Sequence, residues 1–215
     1  MELYTYFRSS AAFRVRIALN LKGLKADYRF VHLLKDGGQQ HKPEFKAVNP
    51  QGFVPALVDQ GHVITQSMAI IEYLDETHPE PALLPKDALG RARVRALTLA
   101  VACDIHPMNN TRIMQYLEKE FGADAAAKKR WMQRWMTEGF AALEKLLAGS
   151  RDTGAFCHGD APTMADLFLA PQMFNARRFE TDITPFPTLR RIDEHCRTLK
   201  PFIDAAPDRQ PDYEA

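Results

Sequence analysis

The chain has 215 residues, of which 46% are hydrophobic and 26% charged, with a formal net charge of +1 at pH 7. Such a composition is typical of a globular protein, and the near-zero charge excludes strong attraction to nucleic acid or to an anionic membrane. The three cysteines are widely spaced and form no CxxC pair, which argues against a disulfide framework or a structural metal site. With no signal peptide or membrane span predicted, we expect a cytoplasmic protein without a metal.

Strand and helix signals alternate along the first part of the chain. Apolar residues alternate with polar ones in the predicted strands, and they recur at helical spacing in the segments between. The order β-α-β followed by β-β-α is typical of a thioredoxin-like domain, which we predict over residues 1–80. The predicted elements are a strand at 3–6, a helix at 13–21, a strand at 28–33, a hairpin of 54–59 and 62–65, and a helix from Ser67 to Leu74.

The proline-rich segment 78–85 predicts a linker, and strand signals end there. Beyond it we predict an all-α domain over residues 88–215, in which Pro107 breaks or kinks the first helix. The polar tail after Pro207 is expected to be loosely ordered. The predicted helices of this domain are 91–118, 123–147, 164–179 and 189–199.

Two short segments place serines at the predicted helix starts of the first domain. Arg8-Ser9-Ser10 follows the first strand, and Gln66-Ser67 opens the last helix. The N-terminus of a helix stabilises anions, including thiolates and carboxylates. Serines at these positions are also ordinary helix caps, so the pattern alone leaves both roles open.

These segments belong to a set that resembles the cytosolic glutathione transferases, and in wording the zeta class, whose namesake activity is maleylacetoacetate isomerase. The resemblance covers the whole chain. It implies an α/β thioredoxin-like N-terminal domain followed by an all-α C-terminal domain. Two positions depart from the usual zeta pattern: Ala11 stands where cysteine is frequent, and His106 resembles bacterial members, including maleylpyruvate isomerases. The segments that carry the resemblance are 8–10, 14–19, 35–40, 49–50, 54–55, 66–74, 159–160, 163–166, 175–179, 182–187 and 210–212.

The resemblance implies a glutathione-dependent cis–trans isomerase of small cis-enedioyl diacids. It would convert maleylacetoacetate to fumarylacetoacetate, or maleylpyruvate to fumarylpyruvate, in the degradation of tyrosine, phenylalanine or other aromatic compounds. Glutathione adds through its thiolate and is released again, so it is a cofactor, and a homodimer is expected. Two alternatives stay open: a general transferase that conjugates or dehalogenates electrophiles, and a non-catalytic binding module on the same fold.

Site roles follow from the same resemblance. Ser9 would stabilise the thiolate, and Ser10 would act as a cap and second donor. Arg8 and Arg178 would clamp substrate carboxylates, since arginine forks match them, with a surface salt bridge as the alternative for each. The glutathione-binding residues implied are Ser9, Ser10, Ala11, Gln40, Val54, Pro55, Gln66, Ser67, His106, Asn110, Thr111 and Arg112.

Individual contacts to the tripeptide are also implied. Ser67 would bind the γ-glutamyl carboxylate, and Gln40 would contact the glycyl end unless its loop is simply solvated. A cis peptide before Pro55 would turn the Val54 backbone toward the cysteinyl residue. His106, beside a proline, has a structural role as its alternative.

Several other residues are expected to be structural. Thr163 and Asp166 approximate a capping box before an apolar run. Trp131 and Trp135, four residues apart, are expected in the core, and Arg177 is expected to be solvated.

Overall fold

A computed structural model describes residues 1–214 of the chain. The chain forms two compact units. The first contains Met1–Leu83 together with the segment that begins at Thr198, and the second is Leu84–Arg197. The predicted helical domain 88–215 is therefore wrong at its C-terminal end, because the last segment packs with the first unit.

The first unit is the predicted thioredoxin-like α/β fold. Its four strands lie in the order β2-β1-β3-β4, with β1 parallel to β2 and antiparallel to β3. Leu3 is fully buried and pairs with Tyr28 on one side and Leu57 on the other, which fixes the register. The elements are β1 Glu2–Thr5, α1 Ser10–Leu21, β2 Asp27–Phe30, α2 Pro43–Val48, β3 Ala56–Asp59, β4 His62–Thr65, α3 Ser67–Thr77 and α9 Lys200–Ala205.

Helix α1 is the central helix of this unit and packs against α3 and α9. Its residues from Ala12 to Leu19 are all buried, including Arg14 and Arg16, so the helix has no solvent-exposed face over this stretch. Arg16 donates hydrogen bonds to the Thr5 hydroxyl and the Ala205 carbonyl, which satisfies its buried guanidinium. The amphipathic pattern thus predicted the helix but not the burial of its cations.

The C-terminal segment is ordered by contacts with the first unit, and the prediction of a loose tail is wrong. Pro207–Arg209 forms a 3₁₀ helix. The Gln210 side chain is buried and donates to the carbonyls of Asp204 and Ala206. The Asp212 carboxylate accepts a hydrogen bond from the Phe7 amide at 2.8 Å, which returns the chain to the end of β1.

The second unit is the predicted helical region. Pro107 does break the first predicted helix: a π-helical stretch, Ala100–Ile105, and a 3₁₀ turn, His106–Asn109, separate α4 from α5. The added atoms of a side chain at Gly139 would lie 2.3 Å from Ile105, so glycine lets α6 approach this stretch closely. The helices are α4 Ala88–Leu99, α5 Thr111–Phe121, α6 Ala125–Ala148, α7 Met164–Arg178 and α8 Pro187–Cys196.

The start of α7 is the predicted capping box. The Asp166 carboxylate accepts from the Thr163 amide and hydroxyl at 2.8 Å each, and both residues are buried. Trp131 and Trp135 contact each other edge to face at 5.7 Å, but they are half-buried rather than in the core as expected. No helix among residues 1–214 is long and apolar enough to cross a membrane.

Candidate functional site

The start of α1 presents Ser9 as the cap of the helix. Its backbone is extended, with φ −73° and ψ 113°, and its hydroxyl oxygen accepts from the Ala12 amide at 3.2 Å. Because the oxygen acts as acceptor inside the helix, its proton remains available for donation outward. The side chain is half-buried, so the hydroxyl combines a fixed orientation with access from outside.

The neighbours of Ser9 have different environments. Ser10, expected to cap the helix, is its first residue and is buried, so the capping role belongs to Ser9. Ala11 follows it in the first turn and is half-buried. The Arg8 guanidinium lies over the Phe7 ring at 4.9 Å and donates to the Glu214 carbonyl at 3.5 Å.

The start of α3 is built differently. Its cap residue is Gln66, in the left-handed region with φ 69° and ψ 120°, and it makes no side-chain capping bond. Ser67 is the first helical residue, not the cap, and it is buried. The Arg14 guanidinium donates to the Ser67 hydroxyl oxygen at 3.2 Å, so the hydroxyl proton can be donated elsewhere. Burial lowers the pKa of Arg14 to about 9, which leaves it a cation at neutral pH.

A loop between α2 and β3 adjoins this helix start. The side-chain amide group of Gln66 donates a hydrogen bond to the side-chain oxygen of Gln51 at 3.0 Å. Asn49 holds the loop closed, since its side chain donates to the Phe53 carbonyl at 2.8 Å. The Val54–Pro55 peptide that follows is cis, as predicted.

Gln40 lies against the same loop. An added Cβ at Gly52 would approach the Gln40 carbonyl to 3.0 Å, so glycine permits the close contact. The Gln40 side chain is buried rather than solvated and donates to the Leu33 carbonyl at 3.2 Å. Its oxygen Oε1 is buried and has no hydrogen-bond partner among residues 1–214. A buried acceptor without a donor favours a ligand N–H at this place.

These features of the first unit fit a thiol peptide with carboxylate ends. The start of α3 combines the helix dipole, the Ser67 hydroxyl and the nearby Arg14 cation, which together favour an anion. Gln40 offers an unmet acceptor for an amide, and Ser9 offers a hydroxyl at the start of the other helix. Arg14 of α1 contacts Ser67, and the loop before β3 contacts both Gln40 and Gln66, so short contacts connect the start of α3 with α1 and with Gln40.

The nominated residues of the second unit lie around its broken helix. His106 begins the 3₁₀ turn and is half-buried. Asn110 caps α5, because its side-chain oxygen accepts from the Arg112 amide at 3.1 Å. Thr111 is the first residue of α5, and the Arg112 side chain is exposed.

Arg177 and Arg178, at the end of α7, differ sharply. Arg177, expected to be solvated, forms a two-pronged ion pair with Asp193 of α8, whose side chain is only 2% exposed. Burial raises the pKa of Asp193, against the opposite effect of Arg177. Arg178 is exposed, with its guanidinium over the Phe179 ring at 4.9 Å. Arg177 therefore stabilises the unit, while Arg178 can contact a ligand.

Sequence reasoning overlooked two contributors. Arg14 contacts Ser67, which lies 53 positions away in the sequence, and Asp212 contacts Phe7, which lies 205 positions away. Both lie in segments that carry the family resemblance, which is the signal that could have found them.

Known protein families match both parts of the chain. The glutathione S-transferase N-terminal domain family matches residues 3–82, and the C-terminal domain family matches residues 125–197. The chain is 53% identical to a maleylpyruvate isomerase of Ralstonia over 213 residues, which is 99% of either chain. It is 44% identical to the maleylacetoacetate isomerase of Pseudomonas aeruginosa over the full length of both.

Solved structures agree with these matches. A holo structure of maleylpyruvate isomerase, described as a bacterial zeta-class glutathione S-transferase, is 52% identical with a TM-score of 0.97, covering 100% of each chain. A maleylacetoacetate isomerase from Methylobacterium extorquens AM1, solved with malonate and glutathione bound, is 42% identical with a TM-score of 0.96, again over 100% of each chain.

Proposed function

Since this chain belongs to the zeta class of the glutathione S-transferase family, we propose that it is a glutathione-dependent cis–trans isomerase of maleylpyruvate or maleylacetoacetate. The relatives that carry these names match over nearly the whole chain. The structural observation that carries the proposal is Ser9: a half-buried hydroxyl at the start of α1, with its oxygen engaged by the Ala12 amide.

Glutathione, when bound, supplies a sulfur nucleophile that can add to an activated double bond and leave again. The part of Ser9 is to donate its hydroxyl proton in a hydrogen bond to that sulfur and so favour its ionised form. The dipole of α1 acts in the same direction, because Ser9 caps the positive end of the helix.

The ends of the tripeptide are assigned to the other helix start and its neighbouring loop. Ser67 donates to the γ-glutamyl carboxylate, with Arg14 holding the hydroxyl oxygen from behind. Gln40 binds toward the glycyl end through its buried oxygen, and the Val54 backbone pairs with the cysteinyl residue. These contacts fix the tripeptide so that its thiol lies at Ser9.

The substrate is a diacid, and two arginines provide the matching charge. Arg8 directly precedes Ser9, so it can bind the carboxylate close to the reacting carbon atoms. The family resemblance of segment 175–179 assigns a second carboxylate clamp to Arg178, which is exposed at the end of α7. Holding only the ends leaves the central bond free to rotate.

The test of the proposed function is an isomerisation assay on both diacids with the purified chain. We expect turnover that requires glutathione but consumes none, because the thiol is released in each cycle. Glutathione consumed in proportion to product would instead indicate conjugation or dehalogenation. No activity toward either diacid, with glutathione still bound, would indicate a binding module.

Arg178→Ala tests the substrate clamp, and Arg177→Ala is its matched control. Loss of a charge-assisted pair costs ~1.5–3 kcal/mol, so Arg178→Ala should lower kcat/KM for the diacid about ten- to hundredfold. It should spare glutathione binding, an uncharged conjugation substrate and the melting temperature. Arg178→Lys should recover only part of the loss, since a point charge cannot reproduce the fork.

Arg177→Ala should show the opposite behaviour. Removing it leaves the buried Asp193 carboxylate without its cation, so the melting temperature should fall. Diacid and uncharged substrates should be affected alike. Equal losses on both substrates in the Arg178 variant, with a lowered melting temperature, would contradict the clamp.

The assembly and location belong to the same proposal. The expectation of a homodimer rests on the family resemblance, and the exposed side chains of Leu89, at 84%, and Leu99, at 41%, on α4 are compatible with it. Sedimentation at micromolar concentration should show twice the 24.4 kDa chain mass, and a single-chain species would contradict the dimer.

Cys157 and Cys196 are free and buried, which raises the pKa of both thiols and suits the reducing cytoplasm.

A further inference from the structure

The C-terminal segment lies directly on the loop that leads into α1. The Asp212 carboxylate accepts from the Phe7 amide at 2.8 Å, and the Tyr213 ring packs edge-on against the Phe7 ring at 5.5 Å. Phe7 is buried and stands two residues before Ser9. Two consecutive tail residues therefore fix the backbone and the side chain of one loop residue.

The same loop is held from beneath by Arg16 of α1. This fully buried guanidinium donates to the Phe7 carbonyl at 3.1 Å and to the Tyr6 carbonyl at 3.3 Å. Burial lowers the pKa of Arg16 to about 10, and the negative charge of Asp212 opposes this effect. Phe7 is thus held at its N–H by an anion and at its C=O by a cation.

Glu214 contacts residues on both sides of the loop. Its carbonyl accepts from the Arg8 guanidinium at 3.5 Å. Its carboxylate pairs with Lys35 and lies 3.6 Å from a ring nitrogen of His32, beyond β2. The turn itself is closed by the Ser9 amide, which donates to the Tyr6 carbonyl at 3.0 Å.

From these contacts we infer that Asp212 is a positioning residue for the proposed catalytic segment Arg8-Ser9. The tail fixes the Phe7 peptide, and this peptide sets the direction in which the chain enters α1. The Ser9 hydroxyl and the Arg8 guanidinium then keep one orientation relative to each other. This inference rests on the proposed function, because the catalytic roles of Ser9 and Arg8 belong to that proposal.

The experiment compares Asp212→Ala and Asp212→Asn with the control Asp208→Ala. Asp208 is acidic and exposed and lies in the same segment, so its removal leaves the Phe7 contact intact. Asparagine keeps an acceptor for the Phe7 amide but removes the charge, and it also serves if the alanine variant does not fold. Each variant is measured by amide hydrogen exchange and by steady-state isomerisation.

In Asp212→Ala, exchange over residues 6–12 should accelerate about tenfold or more, while residues 56–65 keep wild-type rates. The kcat should fall about tenfold with little change in the KM for glutathione, because misplacement of Ser9 affects the reacting sulfur and not the carboxylate contacts. Asp212→Asn should lie between Asp212→Ala and the wild type. Asp208→Ala should match the wild type in both measurements.

Two outcomes of the exchange measurement would overturn the inference. One is unchanged exchange over residues 6–12, and the other is uniform acceleration throughout the first unit, which would indicate a merely structural tail. An active wild-type chain whose Asp212→Ala variant keeps its kcat also contradicts the positioning role while leaving the proposed function intact. An inactive wild-type chain with normal glutathione binding is instead the failure of the proposed function.

Discussion

The two helix starts of the first unit use serine in opposite ways. At α1, Ser9 is the cap, and its oxygen closes a bond with the Ala12 amide of its own helix. At α3, Ser67 is inside the helix, the cap makes no side-chain bond, and the oxygen of Ser67 is held by Arg14 from another helix. The cap of α1 thus binds one amide of its own helix, whereas the cap of α3 binds none with its side chain.

This difference separates chemistry from binding. A self-capped serine holds its hydroxyl in one place whether or not a ligand is present, which suits a group that must act on a sulfur atom. An uncapped helix start backed by a buried cation gains most from an arriving carboxylate, which suits affinity. We therefore predict that substitution of Ser9 lowers turnover, whereas substitution of Ser67 lowers the affinity for glutathione.

Ser9→Ala should have the largest effect. Turnover should fall at least tenfold, which is about 1.4 kcal/mol of barrier or more, because the donor to the sulfur is lost. Glutathione affinity should change little, since the carboxylate contacts remain. Steady-state kinetics with glutathione as the varied component measures both constants.

Ser10→Ala is the matched control for that variant. Ser10 adjoins Ser9 but is buried inside the helix, so its hydroxyl should matter less for the reaction. If Ser10→Ala loses turnover while Ser9→Ala behaves as wild type, the assignment of the two serines is reversed.

Ser67→Ala should produce a smaller effect of the other kind. Loss of one hydrogen bond to the carboxylate costs ~1 kcal/mol, so the Kd for glutathione should rise about fivefold, with little change in turnover at saturation. Titration calorimetry measures the affinity directly. Unchanged affinity in Ser67→Ala would remove this helix start from the site.

Gln66→Gly should have the smallest effect, and it separates backbone strain from binding. Gln66 and Gln60 both have positive φ, at 69° and 49°, which is strained for any residue with a Cβ. Glycine removes this strain but loses more backbone entropy on folding, and the net gain in folding free energy is ~0.5–1 kcal/mol. Both Gln66→Gly and Gln60→Gly should therefore raise the melting temperature by about 1–4 °C.

Only Gln66→Gly should weaken glutathione binding, because it alone removes the amide that contacts Gln51. Calorimetric melting and glutathione titration of the two variants test the pair together. Equal glutathione affinities in the two variants would show that the Gln66 side chain plays no part in binding.

Much of the fold was predictable because its signals are local. Alternating apolar residues marked β1 and the β3–β4 hairpin, and the positive φ of Gln60 and Gly61 fits the tight turn between them. Long periodic segments gave α6 and α7 nearly to the residue. The two serine helix starts were found in the same way, since a strand, a serine and an apolar helix follow one another directly.

The remaining features depend on contacts between distant residues. The six-residue helices α2 and α9 are too short to show a period. The tail looked loose because its residues are polar, yet Asp212 is held by Phe7 at the far end of the sequence. Arg14 and Arg16 carry no local signal of burial, since each is buried against groups that only the folded chain brings near.

Synthesis on the ribosome proceeds from the N-terminus, and the return of the tail to β1 matters for that process. The α9 segment and Asp212, which complete the first unit, are made only after the entire second unit. At 5–20 residues per second, synthesis from the end of α1 at Leu21 to the start of α9 at Lys200 takes roughly 9–36 s, and the surface of α1 that contacts α9 stays uncovered for that time. The first unit of a nascent chain therefore stays open to chaperones until the last segment emerges.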